Sequence, residues 1–158
     1  MPGRMTTPLH AIEKHIQEGV EAAYRVIVNT LCYVGERCII EARTNGDYQD
    51  QTGNLRSSIG YAVVWDGKVV QMDQVEKVSV RKESKVVSEG DDGIIEGEKF
   101  LQSRIKKARK KGIVLIVTAG MNYAEYVEAK GYNVLSSAEL KAGPLVKSLL
   151  TRLGFRMK

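Results

Sequence analysis

The residues best suited to nucleophilic chemistry are Ser57 and Ser58, which are adjacent in the stretch DQTGNLRSSIGY (residues 50–61). A serine nucleophile needs a general base and an acid that orients that base. The two histidines, His10 and His15, are five residues apart on one predicted helix and therefore lie on different faces of it. The stretch also lacks the G-x-S-x-G turn that presents a catalytic serine in hydrolases. We therefore predict no catalytic residue here and a structural role for the two serines.

The spacing of acidic residues gives no better support for a metal or cofactor site. Asp47 and Asp50 lack the spacing of a calcium-binding loop, and so does the adjacent pair Asp91 and Asp92. The sequence has no paired cysteine or histidine set of the kind that holds zinc. Gly53 alone does not make a glycine-rich phosphate loop. We expect neither a metal ion nor a cofactor, and we predict that the protein is not an enzyme.

The two cysteines, Cys32 and Cys38, are six residues apart in one helical pattern. At ~100° per residue they point to different sides of the helix and cannot form a disulfide. Free thiols of this kind are typical of proteins that fold in a reducing cytoplasm. No apolar run approaches the roughly 18 residues of a membrane span, and the start of the chain has no secretory signal pattern. We therefore expect no contact with a membrane.

Positive charge is concentrated in two parts of the chain. The formal net charge is +5, and residues 99–111 and 141–158 contain basic residues but no acidic ones. Such runs are often solvated surface, but they also suit an anionic partner, either nucleic acid or an acidic protein surface. The first run contains the residues that we call the basic patch: Arg104, Lys106, Lys107, Arg109, Lys110 and Lys111.

The clearest signal of secondary structure is an apolar stripe that recurs at spacings of three and four residues from Leu9 to Ala42. It predicts one long amphipathic helix over residues 8–43. At ~1.5 Å per residue this helix would be around 50 Å long, which exceeds the width of a small domain. It must therefore bend, most easily at Gly19 or Gly35, or project and pack on another subunit.

The rest of the chain predicts a small sheet followed by helices. Residues 52–88 read as a helical turn and strands, with a hairpin at Asp66-Gly67 and a third strand near residues 75–86. A loop covers residues 88–97, and the later elements are a basic helix (95–111), a strand (113–119) and two helices (122–130 and 136–153). We predict a single domain, residues 1–158, of the α+β class. In it, the long N-terminal amphipathic helix packs on a small, mainly antiparallel sheet, with additional helices in the C-terminal half.

Local signals mark the ends of the last two helices. Asn122 is the expected N-cap of the first, and Gly131 is expected to end it. Ser136 and Glu139 have the spacing of a capping box at the start of the second. Gly143-Pro144 is expected to kink or restart that helix.

Two separated segments resemble the tail-completion, or head–tail joining, family of long-tailed bacteriophages. TGNLRSSI (residues 52–59) matches the family pattern T-G-x-L-(R/K)-x-S-I after a long helix. NYAEYVEAKGY (residues 122–132) matches the family pattern Y-A-x-Y-V-E followed by Gly. The sequence departs from the pattern by one inserted residue before Gly131 and by a longer segment over residues 74–111.

The resemblance implies a non-enzymatic virion protein that forms a homo-oligomeric ring at the neck, at the top of the tail. Its partners would be the neighbouring neck, connector and tail-tube proteins, and it would be assembled in the cytoplasm of the host bacterium. The basic patch would then meet either DNA in the lumen of the neck or an acidic rim of a neighbouring ring. A small basic nucleic-acid-binding protein is the alternative, and it predicts strongly salt-dependent binding to free nucleic acid.

A ring needs a head-to-tail interface between subunits, and aromatic residues are enriched in such interfaces. Gly53 is expected to allow a tight turn, capped by Thr52 or Asp50, that Leu55 and Ile59 anchor in the core. Arg56 is expected to point outward, where its planar guanidinium suits a carboxylate on a neighbour. The predicted interface residues are Thr52, Gly53, Leu55, Arg56, Tyr123, Tyr126 and Glu128.

Overall fold

The computed structural model describes residues 8–49, 53–73, 80–82, 85–88 and 91–156. In chain order, its elements are α1 (Leu9–Thr44), α2 (Asn54–Ser57), β1 (Ile59–Trp65), β2 (Lys68–Met72), β3 (Val80–Lys82), β4 (Lys85–Ser88), α3 (Asp91–Lys107), β5 (Ile113–Ala119), α4 (Ala124–Ala129) and α5 (Ser136–Arg152). The predicted α+β class is confirmed, with its long N-terminal helix, small antiparallel sheet and C-terminal helices.

Strand β1 lies at the centre of a three-stranded antiparallel sheet of order β2-β1-β5. Its sequence, IGYAVVW, is apolar throughout because helices cover both of its faces. The predicted hairpin joins β1 to β2, and Asp66 and Gly67 have φ angles of 48° and 79°, which a two-residue hairpin turn requires. The third strand is β5 and not the segment near residues 75–86, where β3 and β4 pair with each other.

Helices pack on both faces of this sheet. α1 and α5 form the main hydrophobic core on the face that carries Tyr61 and Val63. α3 packs on the opposite face, where Leu101 contacts the cluster formed by Ala62 and Val64. Because β1 is apolar on both faces, it contributes side chains to two hydrophobic cores, one on each side of the sheet.

The first part of α1 projects beyond the sheet. Tyr24 of α1 contacts the sheet, since its ring stacks on Trp65 with 4.9 Å between ring centroids. We call residues 9–23 the N-terminal arm. Leu9 and Ile16 on the arm are 67% and 61% exposed, and no arm residue belongs to a hydrophobic cluster of the described residues. Projection is one of the two outcomes predicted for this helix.

Helix α3 begins and ends earlier than the sequence predicted. It spans Asp91–Lys107, so most of the expected loop at residues 88–97 is helical. The expected extension of the basic helix to residue 111 is also wrong, because Arg109, Lys110 and Lys111 follow the helix as an irregular segment. The start was missed because two glycines in its first two turns lower the intrinsic helix propensity.

Those glycines allow α3 to lie directly on the backbone of the first motif. A Cβ atom at Gly93 would lie 2.1 Å from the carbonyl oxygen of Asn54, and one at Gly97 would lie 2.8 Å from that of Ser58. Gly120, at the end of β5, approaches Gly97 from the other side, where a Cβ would meet the Gly97 Cα at 2.4 Å. Three glycines therefore bring three chain segments into backbone contact.

The caps of the last two helices differ from those predicted. Asn122 is not the N-cap of α4, which begins one position later than an Asn122 cap would place it. Gly131 follows α4 with φ 89°, as expected. The capping box is wrong, because Ser136 is the first residue of α5 and Leu135 occupies the N-cap position. α5 continues through Pro144 and does not restart there.

Candidate functional site

The two segments that carry the family resemblance meet in the fold. Leu55 is 2% exposed and shares a hydrophobic cluster with Ala124 of the second motif. Tyr48 and Val134 complete that cluster. Although about sixty residues separate the two motifs in the sequence, they support one surface of the protein.

Ser58 links the first motif to the turn that leads into the second motif. Its hydroxyl is fully buried and donates a hydrogen bond to the carbonyl oxygen of Leu55, at 2.7 Å. The same hydroxyl oxygen accepts hydrogen bonds from the backbone N–H groups of Gly120 and Met121, at 3.2 Å and 3.3 Å. Through these three bonds, the Ser58 hydroxyl holds the turn after β5 against α2. This is a structural role, as predicted for Ser58.

Arg56 does not point outward as predicted. Its guanidinium lies over the ring of Tyr48, 5.2 Å from the centroid, and donates a hydrogen bond to the carbonyl oxygen of Gly46, at 3.2 Å. The prediction is wrong because the Tyr48 ring and the Gly46 carbonyl, both in the segment after α1, lie within reach of the planar guanidinium. Arg56 therefore braces the segment after α1 within the monomer.

Two other predicted interface residues of the first motif, Gly53 and Leu55, are also internal. Gly53 is buried and adopts φ 74°, so it supplies the left-handed turn before α2. Leu55 is a core anchor, as described above. Thr52 lies outside the described residues. The described residues of the first motif, 53–59, therefore support an external surface and provide no large exposed side chain themselves.

Exposed aromatic side chains come from the second motif. Tyr126 is 62% exposed, with the Lys130 ammonium 4.5 Å from its ring centroid, and Tyr123 is 36% exposed. Phe100 of α3 is also exposed and lines a groove of about 470 Å³ beside Asn122. Tyr123 and Tyr126 are thus placed where an interface can use them.

Glu128 has a defined role in the monomer, because it caps helix α5. One carboxylate oxygen accepts hydrogen bonds from the backbone N–H groups of Leu135 and Ser136, at 3.1 Å and 2.8 Å, and from the Ser136 hydroxyl. Partial burial by itself would raise the pKa of Glu128, but these hydrogen bonds outweigh it and hold the pKa below its usual value. A carboxylate at a helix N-terminus is also favoured by the helix dipole.

Replacing Glu128 by Gln is expected to lower the free energy of unfolding by about 1–2 kcal/mol at pH 7. A lowered folded-state pKa stabilises the protein fully above the unfolded-state pKa of about 4.3, and this contribution is lost as the pH falls through the folded value. The difference between wild type and Glu128→Gln should therefore shrink below about pH 5. Urea unfolding from pH 7 to pH 3 measures it, with Glu18→Gln at an exposed position away from both ends of α1 as the control. A difference that stays constant to pH 3 would contradict the capping role.

The six residues of the basic patch are all exposed. Among the described residues, no acidic side chain forms an ion pair with any of them. Three of them, Arg104, Lys107 and Arg109, line one groove along β5, while the other three lie outside it. The patch therefore divides into a groove-lining part and a solvent-facing part, which the sequence pattern did not separate.

Within the described part of the chain, no group of three or more His, Cys, Asp or Glu side chains is arranged to hold a metal ion. Cys32 and Cys38 are both free thiols, as predicted. No described helix combines the length and apolar character that crossing a membrane would require. The chain matches no protein-family model, no curated protein and no solved structure.

Proposed function

We propose that the protein is a structural component of a long-tailed phage or prophage particle, in which copies form a ring at the neck. The observation that carries this proposal is the N-terminal arm, which presents an apolar stripe to solvent. Leu9, Ile12, Ile16 and Val20 recur at helical spacing along it; Ile12 is half-buried and the other three are exposed. An exposed stripe that continues the core stripe of the same helix is typical of a surface that packs on another subunit.

The arm is also preformed for such packing. A helix of about 15 residues is only marginally stable alone in water, but the arm continues a helix whose later part is buried in the core. The anchored part supplies the nucleus, so little conformational entropy remains to be lost when a neighbour covers the stripe. A head-to-tail contact between the arm and a different surface of the next copy would generate a ring.

The resemblance supports the same proposal from a second direction. Both motifs lie at one surface, where Tyr123 and Tyr126 are exposed and the first motif holds their support in place. Aromatic side chains on a rigid base are common anchors of protein interfaces.

Nucleic-acid binding is the second candidate, and the exposed basic patch favours it. If it is correct, the affinity for duplex DNA should fall steeply with salt and should drop when the patch is neutralised. Fluorescence anisotropy with labelled duplex DNA at 50 mM and 200 mM salt measures this. The neck proposal requires no such binding to free DNA.

Gold-labelled antibodies against the protein test the proposed location in purified particles. We expect label at the junction of head and tail in electron micrographs, in particles that also carry normal tails. The proposal would be contradicted if mass spectrometry found none of the protein in purified particles of a phage that expresses it.

A further inference from the structure

Strand β5 lies at one edge of the main sheet, and among the described residues its outer edge has no strand partner. In an antiparallel ladder, alternate residues bond to the same neighbour. The N–H of Gly120 donates to Ser58, and the N–H of Asp66 donates to Gly112, so the even-numbered residues of β5 bond to β1. The odd-numbered residues therefore turn their N–H and C=O groups to the open edge: Ile113, Leu115, Val117 and Ala119.

This edge lacks the features that usually protect a strand from pairing. β5 reads IVLIVTA, seven residues without a charge or a proline, and its register with β1 is regular. At the other edge of the sheet, β2 is shorter and its register shifts by a bulge. A long, regular, apolar edge strand is a ready template for a strand of another chain.

A basic groove runs along this edge on the α3 side. It has a volume of about 510 Å³ and is lined by residues 114–118 together with Arg104, Lys107 and Arg109. Thr118, the last of these strand residues, is 5% exposed, and its hydroxyl has no hydrogen-bond partner among the described residues. The Arg104 guanidinium lies over the Phe100 ring, 5.8 Å from its centroid, and no described acidic side chain forms an ion pair with any of the three cations. These cations and the unsatisfied buried hydroxyl both favour an anionic or hydrogen-bonding occupant.

An apolar cavity flanks β5 on the opposite face. It has a volume of about 260 Å³, and Glu139 is the one charged residue among the described residues that line it. The other lining residues are Cys38, Leu115, Val117, Leu135, Ala138 and Ala142. The two sides of the open edge therefore differ in chemistry, since one is cationic and the other is apolar.

The geometry points to β5 as an acceptor for an extended segment of a partner protein in which acidic and apolar residues alternate. An added strand turns successive side chains to opposite faces of the sheet. Its acidic side chains would meet Arg104, Lys107 and Arg109, and its apolar side chains would extend the surface of the opposite cavity. Its backbone would bond to Leu115 and Val117. This inference does not depend on the proposed virion role.

A peptide and amide-resolved hydrogen exchange test this inference. The probe is an acetylated, amidated nine-residue peptide of alternating Glu and Val, added to the full-length protein labelled with ¹⁵N. At ten times its Kd, exchange should slow about tenfold at the N–H groups of Leu115 and Val117. The N–H groups of Val114, Ile116 and Thr118 already bond to β1 and should not change. A peptide with Lys in place of Glu should bind more weakly.

Two charge-reversal variants distinguish binding of the acidic peptide in the groove from a general attraction between the peptide and the basic protein. Lys107→Glu should raise the Kd of the acidic peptide about tenfold. Lys106→Glu makes the same change on the same helix outside the groove and should have a much smaller effect. Equal effects of the two variants, binding without protection of Leu115 and Val117, or binding of duplex DNA in preference to the peptide would each overturn the proposal.

Discussion

Replacing Gly97 by Ala is expected to lower the free energy of unfolding by about 2–3 kcal/mol. A Cβ at this position would lie 2.8 Å from the carbonyl oxygen and 2.9 Å from the Cα atom of Ser58, and both are backbone atoms that cannot rotate away. α3 would have to move off the first motif, which would also weaken the hydrogen bonds between the Ser58 hydroxyl and the turn after β5. Urea unfolding at neutral pH, followed by circular dichroism, measures the change.

The matched control for this prediction is Gly19→Ala on the arm. A Cβ there has no heavy atom within 4 Å, and both glycines lie inside helices. Removing a glycine from an exposed helix interior stabilises the helix by up to about 1 kcal/mol. Gly19→Ala should therefore leave stability unchanged or raise it. If Gly97→Ala were as stable as Gly19→Ala, the close contact between α3 and the first motif would be wrong.

Changing both Ile16 and Val20 to Asp is expected to abolish assembly without unfolding the monomer. Both side chains are exposed, at 61% and 44%, so the free energy of unfolding should change little. In a subunit interface, however, two buried and unpaired carboxylates would cost several kcal/mol per subunit. We supply the double variant or the wild-type protein to a phage that lacks the protein and compare the infectivity that each restores. The double variant should restore at least a hundredfold less, since a loss of about 2.7 kcal/mol in binding free energy corresponds to a hundredfold change. Plaque titre measures it.

The control for the arm is the double variant Ala11→Asp and Ala22→Asp. These alanines are exposed, and helical spacing puts them on the side of the arm away from the stripe. The added charge is the same, so loss of infectivity with this control as well would indicate a general effect of charge and would count against the stripe as the contact surface.

The elements that the sequence predicted well are those with strong local patterns. The long helix, the Asp66-Gly67 hairpin and the strand at residues 113–119 carry unambiguous periodicity or turn signals, and their observed bounds match to within about one residue. Gly35, which the sequence marks as a place where the helix could bend, also has a packing role that no local pattern indicates. A Cβ there would lie 2.4 Å from the Tyr61 ring, so this glycine allows a close helix–sheet contact.

The errors arose where tertiary contacts override local signals. Gly93 and Gly97 read as a loop because their partners, Asn54 and Ser58, are about forty residues away in the sequence. The cap of α5 was assigned to Ser136 itself, whereas Glu128 on the previous helix provides the acceptor. The sequence also predicts Arg56 at the surface, because no local pattern indicates its tertiary contacts with Tyr48 and Gly46.

The candidate surfaces could be predicted only in part. The apolar stripe of the arm and the exposed Tyr126 follow from residue type and spacing. The open edge of β5 could not be predicted, because its exposure depends on which strands pair, and the sequence pattern places the third strand near residues 75–86. No local pattern indicates that Lys107 lines a groove while Lys106 does not.

Electron microscopy of lysates from a phage or induced prophage that lacks the protein tests the central proposal most directly. If the protein forms a ring that joins head and tail, the lysate should contain DNA-filled heads beside separate, finished tails, and the wild-type protein supplied in trans should restore whole particles. Normal, infectious particles in its absence would contradict the account.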